Sequence, residues 1–201
     1  MSSWRLSSNI DGMKLSSTYF QNDDVLFLAR DLLGKSLFTC IDGQISGGII
    51  SETEAYKGTN DRASHAFGGR RTKRNETMYA DGGVIYVYLC YGMHHLLNFV
   101  TNRAGIPDAI LIRSIVPTHG EELMLRRNGR AQSSPQMTIG PGRVSKALGI
   151  TVNHNGASLN GPLVWVEDRG LQIPDSQIKI TPRIGVDYAG DDALLPYRFS
   201  L

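Results

Sequence analysis

The stretch "VIYVYLCYGMHHLLNFVT", residues 84–101, constrains the fold of this chain more than any other. Two runs rich in Val, Tyr, Leu and Phe flank Tyr91-Gly92-Met93. Such runs have strand composition, and a link this short leaves room only for an antiparallel hairpin. Hairpins normally turn on Asn-Gly or Asp-Gly. This one carries an aromatic and a methionine into its turn. Tyr86 and Tyr88 share one face of the first strand, and Tyr91 stands at the tip, out of phase with them.

Other segments read as partners for this hairpin. "AILIRSIVP" is an apolar strand with one arginine, Arg113. "KSLFTCIDGQISGGIISETEAY" reads as two strands about Asp42-Gly43, a hairpin signal. "GPLVWVED" is a further strand, and "KITPRIGVDYAG" runs from strand to loop. Helical signals are fewer. "NDDVLFLARDLLG" has an apolar stripe, a cap at Asn22 or Asp23 and a stop at Gly34. "THGEELMLRRNG" predicts a helix opened by a capping box from Thr118 to Glu121. "IGPGRVSKALG" predicts a turn into a short helix with Pro141 near its first position. "GTNDRASHAFGGRRTKRNET" has no periodicity, and loops of that length in compact domains usually carry function. The pattern predicts one α+β domain over residues 21–201, preceded by a loose, Ser-rich arm over residues 1–20.

Composition adds limits. With 201 residues, 41% hydrophobic and 20% charged, the chain fits a single globular domain with a real core. The net charge is only +2, but it is unevenly spread. Arg70, Arg71, Lys73 and Arg74 form one basic cluster, and Arg126, Arg127 and Arg130 another. Cys40 and Cys90 lie in apolar runs without a CxxC, which fits reduced thiols. The N-terminus has no signal-peptide pattern, and no apolar run approaches the ~18 residues that span a bilayer. A cytoplasmic, membrane-free protein is expected.

In "ISETEAY", strand alternation puts Ile50, Glu52, Glu54 and Tyr56 on one face, with the two carboxylates about 7 Å apart. A carboxylate beside apolar or like-charged neighbours has a raised pKa, which suits general-base work. On an exposed face the same pair would merely be solvated. His65 lies in the long loop. No HExxH or GxSxG occurs, no GxGxxG follows a strand, and there is no Walker sequence, so neither a metal site nor a cofactor is expected. Lys57 alternates away from the Glu54 face, which argues against Schiff-base chemistry. Gly140-Pro141-Gly142-Arg143 opening a helix, with Lys146 nearby, offers a phosphate seat. A tip tyrosine can wedge between base pairs from the minor groove, while tyrosines behind it stack an expelled base with Tyr56 and His65. Basic loops would hold phosphates, and a carboxylate facing the pocket would activate water. An O-glycoside hydrolase using Glu52 and Glu54, or a non-catalytic nucleic-acid-binding module, would use some of the same residues.

"SETEAYKGTNDRASHAFGGRRTKRNETMY", "GVIYVYLCYGMHHLLNFVT", "AILIRSIVP", "GPGRVSKALGI" and "PRIGVDYAG" resemble the alkyladenine (3-methyladenine) DNA glycosylase family, in a compact bacterial form. The resemblance runs collinearly from about residue 24 to the C-terminus. It implies a curved, mainly antiparallel sheet with flanking helices and a protruding hairpin that enters the DNA minor groove. It implies a monofunctional, monomeric base-excision repair enzyme, nucleoid-associated, acting on double-stranded DNA that holds damaged purines. Carried over by motif, Glu54 would be the water-activating base. Tyr56, His65 and Tyr88 would sandwich the flipped base, with Asn98 crowding guanine's exocyclic amine. Tyr91, with Met93 beside it, would fill the hole in the duplex. Arg113 would sit by the water and the phosphate, and the Ile184 carbonyl would help hold the water. Arg70, Arg71, Arg74, Arg143 and Lys146 would contact the DNA backbone.

Overall fold

A computed structural model describes residues 12–132 and 134–201. The strands are β1 (Met13–Lys14), β2 (Ser36–Ile41), β3 (Gln44–Tyr56), β4 (Ile85–Cys90), β5 (His94–Thr101), β6 (Asp108–His119), β7 (Val164–Asp168), β8 (Lys179–Thr181) and β9 (Arg198–Ser200). The α-helices are α1 (Ser17–Phe20), α2 (Val25–Asp31), α3 (Glu121–Asn128) and α4 (Pro141–Leu148). All strands join one antiparallel sheet in the order β1-β7-β2-β3-β6-β5-β4, and β9 bridges β3 to β8. The expected α+β domain is thus observed.

The 13-residue β3 is the axis of this sheet. Its first half pairs with β2 across Asp42-Gly43, where both residues have left-handed φ values of 53° and 73°. This is the geometry an Asp-Gly hairpin turn supplies at low cost. Its second half lies between β6 and β9, with Glu52 opposite Ser200 and Glu54 opposite Arg198. The β3–β6 ladder is irregular there. Ile50 opposes Ile115 and Glu52 opposes Ser114, so Ser51 is extra on β3; Thr53 then opposes Ile112, so Arg113 is extra on β6. Bulges of this kind re-aim side chains and often border active sites. They also correct the expected alternation. Ile50 belongs to the main hydrophobic core, whereas Glu54 hydrogen-bonds to the Tyr56 hydroxyl on the other face.

That core lies between the sheet and the helices. Asp24, not Asn22 or Asp23, caps α2, accepting from the amides of Leu26 and Phe27. The helix docks on β3, where the buried Thr53 hydroxyl donates to Ala29 O at 2.7 Å. From α4, Val144, Ala147 and Leu148 pack into the same core as Leu97, Phe99, Ile110 and Ile112. Pro141 starts α4 as expected. The start of α3 differs. β6 continues through His119, so Thr118 is a strand residue and cannot form the expected capping box. Gly120 reverses the chain at φ 68°, where a Cβ would stand 2.5 Å from Ile45 O. Only glycine fits that approach.

The expected loose arm also needs correction over its second half. β1 pairs with β7, and the ring of the fully buried Phe20 meets Phe99 edge-on at 5.9 Å. Phe20 O accepts from the Asn102 amide at 2.9 Å. The segment is Ser-rich around one fully buried aromatic anchor, so its composition resembles that of an unpacked arm. Residues 1–11 lie outside the described residues. Phe20→Ala is expected to destabilise the protein by about 3–5 kcal/mol. Urea unfolding measures this, and a loss below about 1 kcal/mol would mean that this segment is not integral to the domain.

Candidate active site

Glu54 lies near the C-terminal end of β3 with no exposed surface. Its Oε1 accepts from the Ile184 amide at 2.8 Å. Its Oε2 accepts from the Tyr56 hydroxyl at 2.9 Å and from Arg113 Nη1 at 3.3 Å. These three partners line a cavity of about 430 Å³, together with His65, Tyr88 and Asn98. The carboxylate therefore lies directly behind the floor. Burial raises its pKa above 4.5, and Arg113, the Ile184 amide and the Tyr56 hydroxyl offset that only in part.

Glu52 is differently placed. Its Oε1 accepts from Arg113 Nε at 3.2 Å and from Arg198 Nη1 at 2.9 Å. It holds Arg113 in position and does not face Glu54 across a cavity, which removes the support for a glycosidase-like carboxylate pair.

The aromatic wall comes from β4 and the long loop. Tyr86 and Tyr88 share a face as expected, with rings stacked at 5.4 Å. His65 stands edge-on to Tyr88 at 4.5 Å, and its Nδ1 hydrogen-bonds to the Tyr86 hydroxyl at 3.0 Å. Burial, with Arg74 and Arg70 adding to it, lowers the His65 pKa from its ordinary value and so favours the neutral ring. Asn98 donates from Nδ2 to the carbonyls of Tyr86 and Leu96 at 3.1 and 3.2 Å. Carbonyls only accept, so these bonds identify Nδ2 and leave Oδ1 as the group not engaged by the protein.

The hairpin tip stands beside the cavity. Tyr91 is 89% exposed and has φ 50°, Gly92 has φ 71°, and the Met93 amide donates back to Cys90 O at 3.1 Å. Tyrosine thus occupies the left-handed position where Asn or Asp would be less strained, at a cost of about 1–3 kcal/mol. Met93 is also exposed.

The basic residues divide. Arg70 is exposed near the aromatic wall. Arg74 donates to Leu89 O at 2.9 Å and lies over the Tyr88 ring. Arg71 is taken up by Glu76 and by the Tyr79 face. Arg143 and Lys146 are exposed on α4, whose Pro141 lines the cavity, and the Gly140 amide donates to Arg113 O at 2.8 Å. Of the second basic cluster, Arg127 is structural, donating to Ser46 Oγ and Ala147 O.

One residue that sequence reasoning missed is Arg183. Its buried guanidinium pairs with both oxygens of buried Asp61 and donates to Ala55 O and Asp192 O, each at 3.0 Å. It also lies over the rings of Tyr56 and Tyr197. The next residue is Ile184, so this clamp holds two of Glu54's partners, Tyr56 and the Ile184 amide. Asp61 is 122 residues away in sequence, too far for any local pattern to reveal the pair.

Comparison with known proteins decides the family. Residues 19–201 match the methylpurine-DNA glycosylase family. The chain is 47% identical over 189 residues to a Chlamydia felis protein named "Putative 3-methyladenine DNA glycosylase", covering 93% of this chain and 95% of that one. A Chlamydia pneumoniae protein of the same name is 45% identical, covering 93% and 94%. One from Bacillus cytotoxicus is 41% identical, covering 90% and 92%.

The chain belongs to the methylpurine-DNA glycosylase family.

It is therefore a DNA glycosylase, a DNA-repair enzyme that processes alkylated bases. In this glycosylase the exposed tip residue Tyr91 lines the aromatic cavity, and the buried carboxylate lies behind residues of the same cavity.

Glu54's pKa is raised in the folded protein, so its contribution to stability is fully present below the unfolded value. It is lost as pH rises through the folded value. A ¹³C-carboxylate NMR titration is expected to place the Glu54 midpoint above 4.5, and Arg113→Gln should move it higher. A native midpoint at or below 4.5 would contradict this account of the site.

Proposed function

We propose that this glycosylase flips an alkylated purine out of duplex DNA and hydrolyses its N-glycosidic bond with a water activated by Glu54. The observation that carries this reading is the fully buried Glu54 carboxylate, held by three residues that line an aromatic-walled cavity. The expelled base stacks among Tyr56, His65 and Tyr88. Tyr91, with Met93, takes the vacated place in the stack from the minor-groove side. Arg70, Arg74, Arg143 and Lys146 steady the backbone. Arg71, already paired with Glu76, contributes least of the expected phosphate contacts.

Hydrogen-bond inventory suggests where the water binds. Among the described residues, Glu54 Oε2 accepts two bonds, whereas Oε1 accepts one, from the Ile184 amide, and retains a lone pair. The water donates to Oε1, and the Ile184 carbonyl is a suitable second acceptor. As the glycosidic bond breaks, its electron pair leaves with the purine. The water oxygen bonds to C1′, Glu54 takes the proton, and an abasic site and free base result. Purines methylated at N3 or N7 are cationic and leave as neutral bases, so 3-methyladenine and 7-methylguanine are the primary substrates. Neutral lesions such as hypoxanthine or ethenoadenine require a proton from another source. The raised pKa of Glu54 makes it a stronger base than an ordinary carboxylate. Burial also excludes competing bulk water. Asn98, fixed by its two carbonyl partners, crowds the 2-amino group of guanine; the cationic leaving group of 7-methylguanine offsets that crowding, whereas unmodified guanine, a poor leaving group, is rejected.

Glu54→Gln is expected to lower single-turnover base release by about 10²–10⁴ or more and to leave lesion-DNA affinity within about tenfold. Chromatography of bases freed from methylated DNA measures this. Near-native release by the variant would remove Glu54 from the role of base.

Tyr91→Ala should slow excision most when the lesion is well paired, less opposite a mismatch and least in single-stranded DNA. A wedge offsets unstacking, which is smallest where pairing is already lost. Equal losses in all three contexts would exclude the wedge.

A further inference from the structure

A second cavity, of about 410 Å³, adjoins the base pocket. His65, Arg74, Tyr86 and Tyr188 line both. The second cavity adds Arg62, Phe67 and Arg70, and no Asp or Glu lines it. Arg62 and Arg70 make no ion pair among the described residues. Arg71, two positions from Phe67's turn, is by contrast neutralised by Glu76. Two large rings are left open to solvent here: Phe67 is 46% exposed and Tyr188 71%. The Tyr188 hydroxyl donates to Ala63 O at 3.1 Å, which anchors one end of that ring. Uncompensated guanidinium groups beside open aromatic faces suit a ligand that is anionic and planar at once, which is the chemistry of a nucleotide.

We propose that this cavity is a subsite for the nucleotide next to the flipped one on the damaged strand. Its phosphate lies between Arg62 and Arg70, and its base rests against Phe67 and Tyr188. The inference rests on the base-flipping reading above. Its occupant is set by proximity, because four side chains, His65, Arg74, Tyr86 and Tyr188, line both cavities. A ligand there is within one backbone step of the flipped base. A free mononucleotide would present the same chemistry, so the test must separate the two sources.

The test uses the full chain and methylated-purine duplexes in which each nucleotide flanking the lesion is altered in turn. One alteration makes the phosphate a neutral methylphosphonate, and the other removes the base. Arg62→Ala is expected to weaken duplex binding about tenfold and to lower the slope of log affinity against log salt by about one. That loss should vanish when one particular flanking phosphate is neutral. Phe67→Ala should weaken binding about fivefold or more without changing the salt slope. Its loss should vanish when the base is removed from the same flanking nucleotide. Both residues are exposed, and unchanged thermal melts would separate lost contacts from lost folding. Equal losses on every modified duplex, or no loss at all, would overturn the subsite. Competition by free dAMP that Arg62→Ala abolishes, without flank dependence, would overturn it in favour of a mononucleotide site. Absence of base release by the unaltered protein would instead sink the parent reading. Release without flank dependence would sink only this one.

Discussion

The active face depends on one buried ion pair, Arg183 with Asp61. Burying two charges is costly, and further hydrogen bonds to both Nη atoms and both Asp61 oxygens offset that cost, although the buried Arg183 Nε has no partner among the described residues. Arg183 also donates to Ala55 O at the end of β3 and to Asp192 O in the C-terminal loop, and it stacks against Tyr56 and Tyr197. Asp61 in turn accepts from the amides of Lys57 and Ala63. Three chain segments are thereby joined: the end of β3, the loop after it and the segment carrying Ile184. Removing either charge alone leaves the other buried and uncompensated, which costs about 3–5 kcal/mol. Any slack in this joint would reach Tyr56 and the Ile184 amide, and through them both oxygens of Glu54.

Around that joint the protein tolerates several locally unfavourable features, and they cluster about the aromatic cavity. Glu54 is a carboxylate without exposed surface, its pKa raised by burial. Arg113 sits at a bulge, divided between Glu52 and Glu54. Tyr91 holds a left-handed conformation that a smaller polar residue would adopt more easily. Phe67, Tyr91 and Tyr188 leave aromatic surface in water. The core beneath, with Leu97, Phe99, Ile110 and Ile112 packed against α2 and α4, shows no such compromise. The cavity with its strained and desolvated groups lies on one face of the sheet, and the main hydrophobic core on the other.

Much of this was legible because it is local. The β2–β3 hairpin follows from Asp42-Gly43, the β4–β5 hairpin from two strand-like runs around Tyr91-Gly92-Met93, and α4 from Pro141 after a glycine. The shared face of Tyr86 and Tyr88 follows from alternation alone. Misreadings arose where a non-local contact overrode a local signal. Thr118 looked like a cap, but the ladder with β3 extends to His119 and draws it into a strand. The segment before residue 21 looked unpacked because it is polar, yet one aromatic, Phe20, ties it to the core. Ile50 looked like a neighbour of Glu54 until the extra residue at Ser51 changed the phase of β3.

The sequence by itself determined most of the elements, the single α+β domain and the membership of Glu54, Tyr56, His65, Tyr88 and Asn98 in recognisable motifs, because spacing and residue type are properties of short segments. Only the tertiary structure decided what each group experiences. Glu54's raised pKa comes from burial behind residues drawn from β3, β6 and the segment after β8. Asn98's fixed orientation comes from carbonyls of both strands of the hairpin. Arg71 is paired with Glu76, whereas Arg62 has no ion pair among the described residues. Arg183 meets Asp61 across 122 residues. Desolvation, charge pairing and hydrogen-bond saturation depend on neighbours in space, and those neighbours exist only once the sheet has brought distant segments together.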